Sequence, residues 1–208
     1  MNKNWSKKMK NAFKLLKKID PDFNFIINKF GLPLDRASPN SFDTLVRIII
    51  GQQISRQAAI SIYKKISKNS KICVDYILKE QKDNLKNHGL SFKKIEYIKN
   101  LAKMIKNKDI ILEKYVNLSS ETIYKDLIQI KGIGEWTINN YLLFSLQKVD
   151  AWPAGDLALQ EAVKELKKIS IRPNRNKMLE IALNWKPYRG AAALLLWHFY
   201  SELKRKND

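Results

Sequence analysis

A chain of 208 residues holds enough material for one sizeable core or two small lobes. Hydrophobic residues make up 45% of it, which excludes a disordered chain, and the single cysteine, Cys73, excludes an internal disulfide and a cysteine-held zinc or iron–sulfur centre. With 39 basic against 20 acidic residues the formal net charge is +19, which favours a polyanion such as nucleic acid as partner, although the same abundance of Lys, Ile and Asn also follows from an AT-rich genome.

The elements follow in chain order. Phe13, Leu16 and Ile19 form one apolar stripe, and Asp20-Pro21 is an N-cap followed by a first-turn proline that opens the next helix. Gly31-Leu32-Pro33 ends that helix, and a loop with Pro39 follows. Ser41 is placed to cap a helix bearing Leu45, Ile48 and Ile49. Gly51 interrupts the chain before Gln52-Gln53-Ile54-Ser55, and Ser55 caps a helix running through Ile66. Ser91 opens a helix bearing Ile95, Ile98, Leu101 and Ile105. Ser119 or Ser120, followed by Glu121, starts a short helix that ends near Ile130. Further helices are expected over Thr137 to Leu146, Leu157 to Leu166, Lys177 to Leu183 and Arg189 to Leu203. No alternating run is long enough for a sheet, so the expected fold is all-α, with about ten helices and short connections.

The basic N-terminus lacks the continuous apolar core of a signal peptide, and no apolar run reaches membrane-spanning length; Ala191 to Trp197 is far too short. These features lead to the expectation of a soluble cytoplasmic protein with no membrane partner, associated with the nucleoid if bacterial. Two histidines, His88 and His198, are too few for a histidine metal site.

Chemistry concentrates in two segments. Ile130-Lys131-Gly132-Ile133-Gly134-Glu135-Trp136-Thr137 reads as a glycine hairpin opening a helix. Glycine permits positive φ and close approach of a phosphate, and the first N–H groups of the following helix then point at that phosphate. The plainer reading is a turn between two helices. About twenty residues on, Trp152-Pro153-Ala154-Gly155-Asp156 sets one carboxylate in a stiff loop. Asp156 serves either as the N-cap of the helix from Leu157 or as a reacting acid, and the two roles are compatible. Gln52 and Gln53, Trp136 and Trp197 likewise have structural readings: a polar helix start for the glutamines, core packing for Trp197. Asp150, Glu161 and Trp185 read as structural or solvated.

Residues 127–137, Leu-Ile-Gln-Ile-Lys-Gly-Ile-Gly-Glu-Trp-Thr, resemble the helix–hairpin–helix of a DNA glycosylase superfamily, and Trp152 to Leu157 is similar to its Gly/Pro loop ending in an essential aspartate. Ile50 to Ser55, Gly89 to Tyr97, and Trp185 to Gly190 are similar to segments of its 3-methyladenine DNA glycosylase II branch, so the resemblance runs from about Ser41 to Tyr200. It implies two helical lobes with a cleft between them. One is a middle lobe of about residues 40–146 with the hairpin at 127–140. The other is built from 1–39 plus 147–208. This would be a compact form lacking the N-terminal β lobe of a larger relative.

The resemblance also implies roles. Asp156 would stabilise an oxocarbenium-like sugar and direct water. Trp136 stands where bifunctional relatives carry a lysine, which implies a monofunctional enzyme without strand nicking. Trp136 and Trp197 would line a base pocket suited to cationic alkylated purines. Gln52 and Gln53 would enter the duplex, with Gln53 at a position where a familiar relative has an apolar wedge. Gly132, Ile133, Gly134, Lys131 and Thr137 would hold DNA phosphate. Lys131 replaces a common proline, and Glu135 suits the helix dipole but not a nearby phosphate. Carbonyls of Ile128, Ile130 and Ile133 would hold a monovalent cation, Na+ or K+, with no other cofactor. Double-stranded DNA is the implied partner of a monomer. The resulting expectation is hydrolysis of the N-glycosidic bond of alkylated purines in base-excision repair. The alternatives are a glycosylase for uracil, hypoxanthine or an oxidised purine, and a non-catalytic DNA-binding module.

Overall fold

Short polar side chains start most of the helices by taking up N–H groups that have no partner inside the first turn. In the computed structural model, which describes residues 5–68 and 70–207, these are α1 (Lys7–Ile19), α2 (Pro21–Phe30), α3 (Phe42–Gly51), α4 (Arg56–Ile66), α5 (Val74–Lys79), α6 (Lys82–Asn87), α7 (Phe92–Lys106), α8 (Ser120–Ile128), α9 (Glu135–Phe144), α10 (Leu157–Lys167), α11 (Arg175–Ile181) and α12 (Arg189–Asn207). Two 3₁₀ turns, Leu112–Asn117 and Ala182–Trp185, complete the set, and there is no strand among the described residues. None of these helices is long and apolar enough to cross a membrane.

The expected caps are in place. Asp20 accepts from Asp22 N with Pro21 in the first turn, and Ser41, Ser55 and Ser91 accept from Thr44 N, Ala58 N and Lys94 N. Ser119, not Ser120, caps α8 by accepting from Thr122 N at 3.1 Å. α9 opens two residues earlier than the apolar pattern places it, because the Gly134 carbonyl already accepts from Ile138 N at 3.0 Å. α11 begins at Arg175 because Asn174 caps it through Lys177 N. α5 and α6 are not foreseen by the sequence pattern: each has six residues and neither has a side-chain N-cap.

The chain divides into two units, Ser38–Tyr141 and Met1–Ala37 with Leu142–Asp208. In the first, α7 packs against α3, α5 and α6. Leu45, Ile49, Ile50, Ile98, Leu101, Ile123 and Leu127 are fully buried there. The second unit is assembled from both ends of the chain. α12 packs on α1, α2 and α10, over a core that includes Met9, Phe13, Leu16, Phe23, Ile26, Leu195 and Leu196. Its Ala191, Ala192 and Ala193 are fully buried; such small side chains let a neighbouring backbone come close. Gly190 marks one such approach: a Cβ there would lie 2.8 Å from the Val149 carbonyl.

Candidate functional site

Within the unit Ser38–Tyr141, the hairpin joins α8 to α9. Ile130 and Ile133 bury their side chains, and Ile133 N donates to Ile130 O at 2.9 Å, which closes the turn. The two glycines differ in what they do. Gly132 has φ +88°, and a Cβ on it would fall 2.0 Å from the Tyr97 ring, so both backbone and packing require glycine. Gly134 needs neither: its φ is not positive and open space surrounds the place a Cβ would take. It leaves an exposed approach to the first turn of α9, whose N–H groups and dipole favour an anion.

The other expected phosphate contacts are less open. Lys131 is exposed but bonded to Glu96 at 2.8 Å, and that carboxylate holds the ammonium above its ordinary pKa. The Thr137 side chain is buried, and its hydroxyl accepts from Gln52 Nε2 at 2.8 Å. Gln52 Nε2 also donates to Gly132 O at 2.9 Å. The two side chains are bonded to each other and Gln52 to the hairpin; with its side chain buried, Thr137 offers an anion its first-turn backbone N–H. Gln53, the next residue, is exposed and sits at φ +55°. Trp136 is half-buried in the first turn of α9.

The carbonyls of Ile128, Ile130 and Ile133 are neutral oxygen donors. Ile130 O keeps a second lone pair beyond its bond to Ile133 N. Neutral carbonyls suit a weakly charged cation better than a divalent one, which draws carboxylates into its shell. Among the described residues no cluster of His, Cys, Asp and Glu could hold a metal ion.

In the other unit, Asp156 is the N-cap of α10: Oδ1 accepts from Leu159 N at 2.9 Å. The same oxygen accepts from Trp197 Nε1 at 3.0 Å. The loop before it is stiffened by Ala154 N donating to Trp152 O and Asp156 N donating to Pro153 O. Trp152 is buried edge-on against Trp185, with ring centroids 5.5 Å apart. Gly155 is exposed with open space around it, and Asp156 is half-buried. Trp197 is half-buried and lies nearly parallel to Phe144, at 5.7 Å and 21°. One edge of the indole thus holds the acid while one face is backed by a phenyl ring.

The competing acids are tied elsewhere. Asp150 pairs with the Arg189 guanidinium through two bonds, of 2.9 and 2.6 Å, and accepts from Arg189 N at the start of α12. Glu161 pairs with Arg172. His198 bonds to the Phe30 carbonyl, a structural tie between α12 and the end of α2.

Sequence reasoning missed Lys94, whose ammonium donates to Ile50 O at 2.7 Å and Gln52 O at 2.8 Å. It also missed Tyr97 behind Gly132 and Phe144 behind Trp197. For Lys94 a signal was present: α7 has no acidic residue in its first turn, and a lysine there opposes the helix dipole.

Comparison with known proteins bears on this arrangement. Residues 46–187 match the family of HhH-GPD superfamily base excision DNA repair proteins. The DNA-3-methyladenine glycosylase of Bacillus subtilis is 28% identical over 172 residues, covering 76% of this chain and 57% of that protein. The alkylbase DNA glycosidase-like protein mag2 of Schizosaccharomyces pombe is 30% identical over 209 residues, covering 96% of this chain and 97% of its own. The chain spans well under two thirds of two Bacillus subtilis relatives, at 58% and 57% of their lengths. The solved structure of S. pombe 3-methyladenine DNA glycosylase (Mag1) in complex with abasic DNA superposes with a TM-score of 0.84 at 26% identity, over 93% of this chain and 97% of that one.

Proposed function

The chain belongs to the HhH-GPD superfamily of base excision DNA repair proteins, and from that premise we propose that it is a monofunctional DNA glycosylase that hydrolyses the N-glycosidic bond of alkylated purines of the 3-methyladenine and 7-methylguanine type. The observation that carries this reading is Asp156, a half-buried carboxylate whose Oδ1 is fixed by Leu159 N and Trp197 Nε1. The names of the relatives, DNA-3-methyladenine glycosylase and alkylbase DNA glycosidase-like protein, support the substrate class.

Breaking the bond between C1′ and the base nitrogen sends the electron pair to the base and leaves positive charge on the sugar. A base already cationic through alkylation departs neutral and needs no proton from the protein. Asp156 stabilises the sugar cation and accepts the proton of the water that attacks C1′. The nucleophile is water because Trp136 has no amine. The nearby Lys131 is held protonated by Glu96, a poor state for Schiff-base chemistry. The electron-rich faces of Trp136 and of Trp197 each attract a flipped cationic base; the Trp197 edge, spent on Asp156, offers no hydrogen-bond readout.

Duplex DNA is the partner, gripped as a monomer through backbone N–H groups at Gly134 and the first turn of α9. The carbonyls of Ile128, Ile130 and Ile133 would hold a Na+ or K+ ion, which would supply positive charge to the hairpin.

The test is base release. Methylated duplex is incubated with wild type and with Asp156→Asn, and freed bases are identified by chromatography with mass detection. The expected result is 3-methyladenine or 7-methylguanine from wild type alone, with abasic strands left intact. Release by the variant at the wild-type rate would remove Asp156 from the reaction, and nicked strands would overturn the monofunctional reading.

A further inference from the structure

The exposed Gln53 turn and the hairpin lie far apart in the chain, and two side chains fasten them together within the unit Ser38–Tyr141. α3 ends at Gly51, and its last carbonyls have no donors within the helix. Lys94 supplies one, with its ammonium shared between Ile50 O and Gln52 O. Burial lowers the pKa of this lysine, and its place in the first turn of α7 sets it against the helix dipole. Two charge-assisted bonds offset these costs. Gln52, held at its carbonyl by Lys94, turns its amide to the hairpin, bonding Gly132 O and Thr137 Oγ1 across 80 and 85 residues of chain. Tyr97, one turn beyond Lys94, fills the space at Gly132 that no side chain can enter. α7 therefore supports the turn with one residue and the hairpin with another. Between these fixed points Gln53 is kept in the left-handed region at φ +55°. That conformation is unfavourable for a non-glycine residue and persists where its surroundings over-determine it.

We propose that Lys94 and Gln52 are positioning residues that form a strut, setting the exposed Gln53 side chain at a fixed place relative to the hairpin. Phosphate grip and entry into the duplex are then one rigid event. Gln53 alone of the two glutamines meets DNA; Gln52 and Lys94 act through it. The inference rests on the reading of the chain as a base-flipping glycosylase, since a protein that only grips phosphate has no use for a fixed Gln53.

The experiment compares wild type with Lys94→Met, Lys94→Arg and Gln52→Met. The probe is a duplex carrying a tetrahydrofuran abasic-site analogue beside 2-aminopurine, whose fluorescence rises when the stack opens. No catalysis is needed. Affinity for this duplex and for its undamaged counterpart is measured by anisotropy. Lys94→Met should bind undamaged duplex within about threefold of wild type, since the hairpin contacts remain, yet lose most of the fluorescence rise and about tenfold or more of its preference for the abasic site. Lys94→Arg should restore both, because a second cationic donor can reach the same carbonyls. Gln52→Met should reproduce the loss without removing the Lys94 bonds, which keeps the test decisive if Lys94→Met does not fold. Full fluorescence and preference in either Met variant would overturn the strut. Wild type that opens the stack but releases no base would overturn the glycosylase reading and leave the strut standing. Wild type that does not distinguish the two duplexes would overturn the strut whatever its base release.

Discussion

Oδ1 of Asp156 accepts two hydrogen bonds, and substitution separates this structural part from the proposed catalytic one. Asparagine caps a helix as well as aspartate does, and its Oδ1 can still accept from Leu159 N and Trp197 Nε1. Asp156→Asn should therefore fold and bind DNA like wild type while base release falls by about a hundredfold or more. Asp156→Ala should lose the cap as well, at about 1 kcal/mol of stability. Denaturant titration of the three proteins beside the base-release assay checks this; equal stability of the Asn and Ala variants would count against the capping role. The hairpin glycines separate in the same manner. Gly132→Ala meets the Tyr97 ring and a positive φ, and should destabilise by about 2–4 kcal/mol. Gly134→Ala meets nothing in the protein and should keep the wild-type denaturation midpoint while binding duplex more weakly, because its methyl occupies the phosphate's approach. A Gly134→Ala protein with unchanged affinity would place the phosphate elsewhere. Both glycines and the acid were legible in the sequence, since each belongs to a local motif. The engagement of Gln52 with Thr137 was not: nothing within a few residues of Gln52 specifies a partner 85 positions away.

At the scale of elements, the helices that were legible are those with an apolar period and a polar cap, such as α3, α4, α7 and α8. α5 and α6 escaped because six residues carry too little periodicity and no side chain caps their starts. Their order comes from packing on α7 and, for α5, from Lys99, whose ammonium donates to Ile77 O at 2.8 Å, Leu78 O at 3.3 Å and Glu80 O at 2.7 Å. A cation on the last carbonyls of a helix satisfies acceptors that would otherwise need water and suits the dipole. Lys99→Met should release these carbonyls, with a loss of about 1–3 kcal/mol. Hydrogen exchange should show the amides over residues 78–80 losing protection while those of α7 keep it, and base release should be unchanged. Protection unchanged in α5 would mean that α7 packing alone holds it.

At the scale of the whole molecule, the ends of the chain must find each other, and Asp20 is one place where they meet. Asp20-Pro21 is legible as a helix start, and Oδ1 does accept from Asp22 N. The other oxygen does what no local pattern discloses: Oδ2 accepts from Lys167 Nζ at 2.8 Å and Trp185 Nε1 at 2.9 Å, residues 147 and 165 positions away. Lys167 also pairs with Asp22 at 2.8 Å. Burial by itself would raise the Asp20 pKa, but the bonds from Lys167 and Trp185 outweigh it and hold the carboxyl below its ordinary value. For Lys167, burial pulls downward and the two aspartates pull harder upward. The signs then fix a window. A depressed carboxyl contributes stability that is complete above its unfolded value, about pH 4, and is lost as pH falls through its folded value. A raised ammonium contributes stability that is complete below about pH 10 and is lost above its folded value. Asp20→Asn keeps the cap but gives up the charge, so it should be less stable than wild type at pH 7 by about 1–3 kcal/mol. That gap should narrow as pH is lowered from 5 to 3, because the unfolded carboxyl takes up its proton there while the folded one, held below its ordinary value, takes it up only at lower pH. Denaturant midpoints of the two proteins across that range measure the effect. A gap that stays constant down to pH 3 would mean that the ends are joined by packing around Trp185 and not by the charge on Asp20.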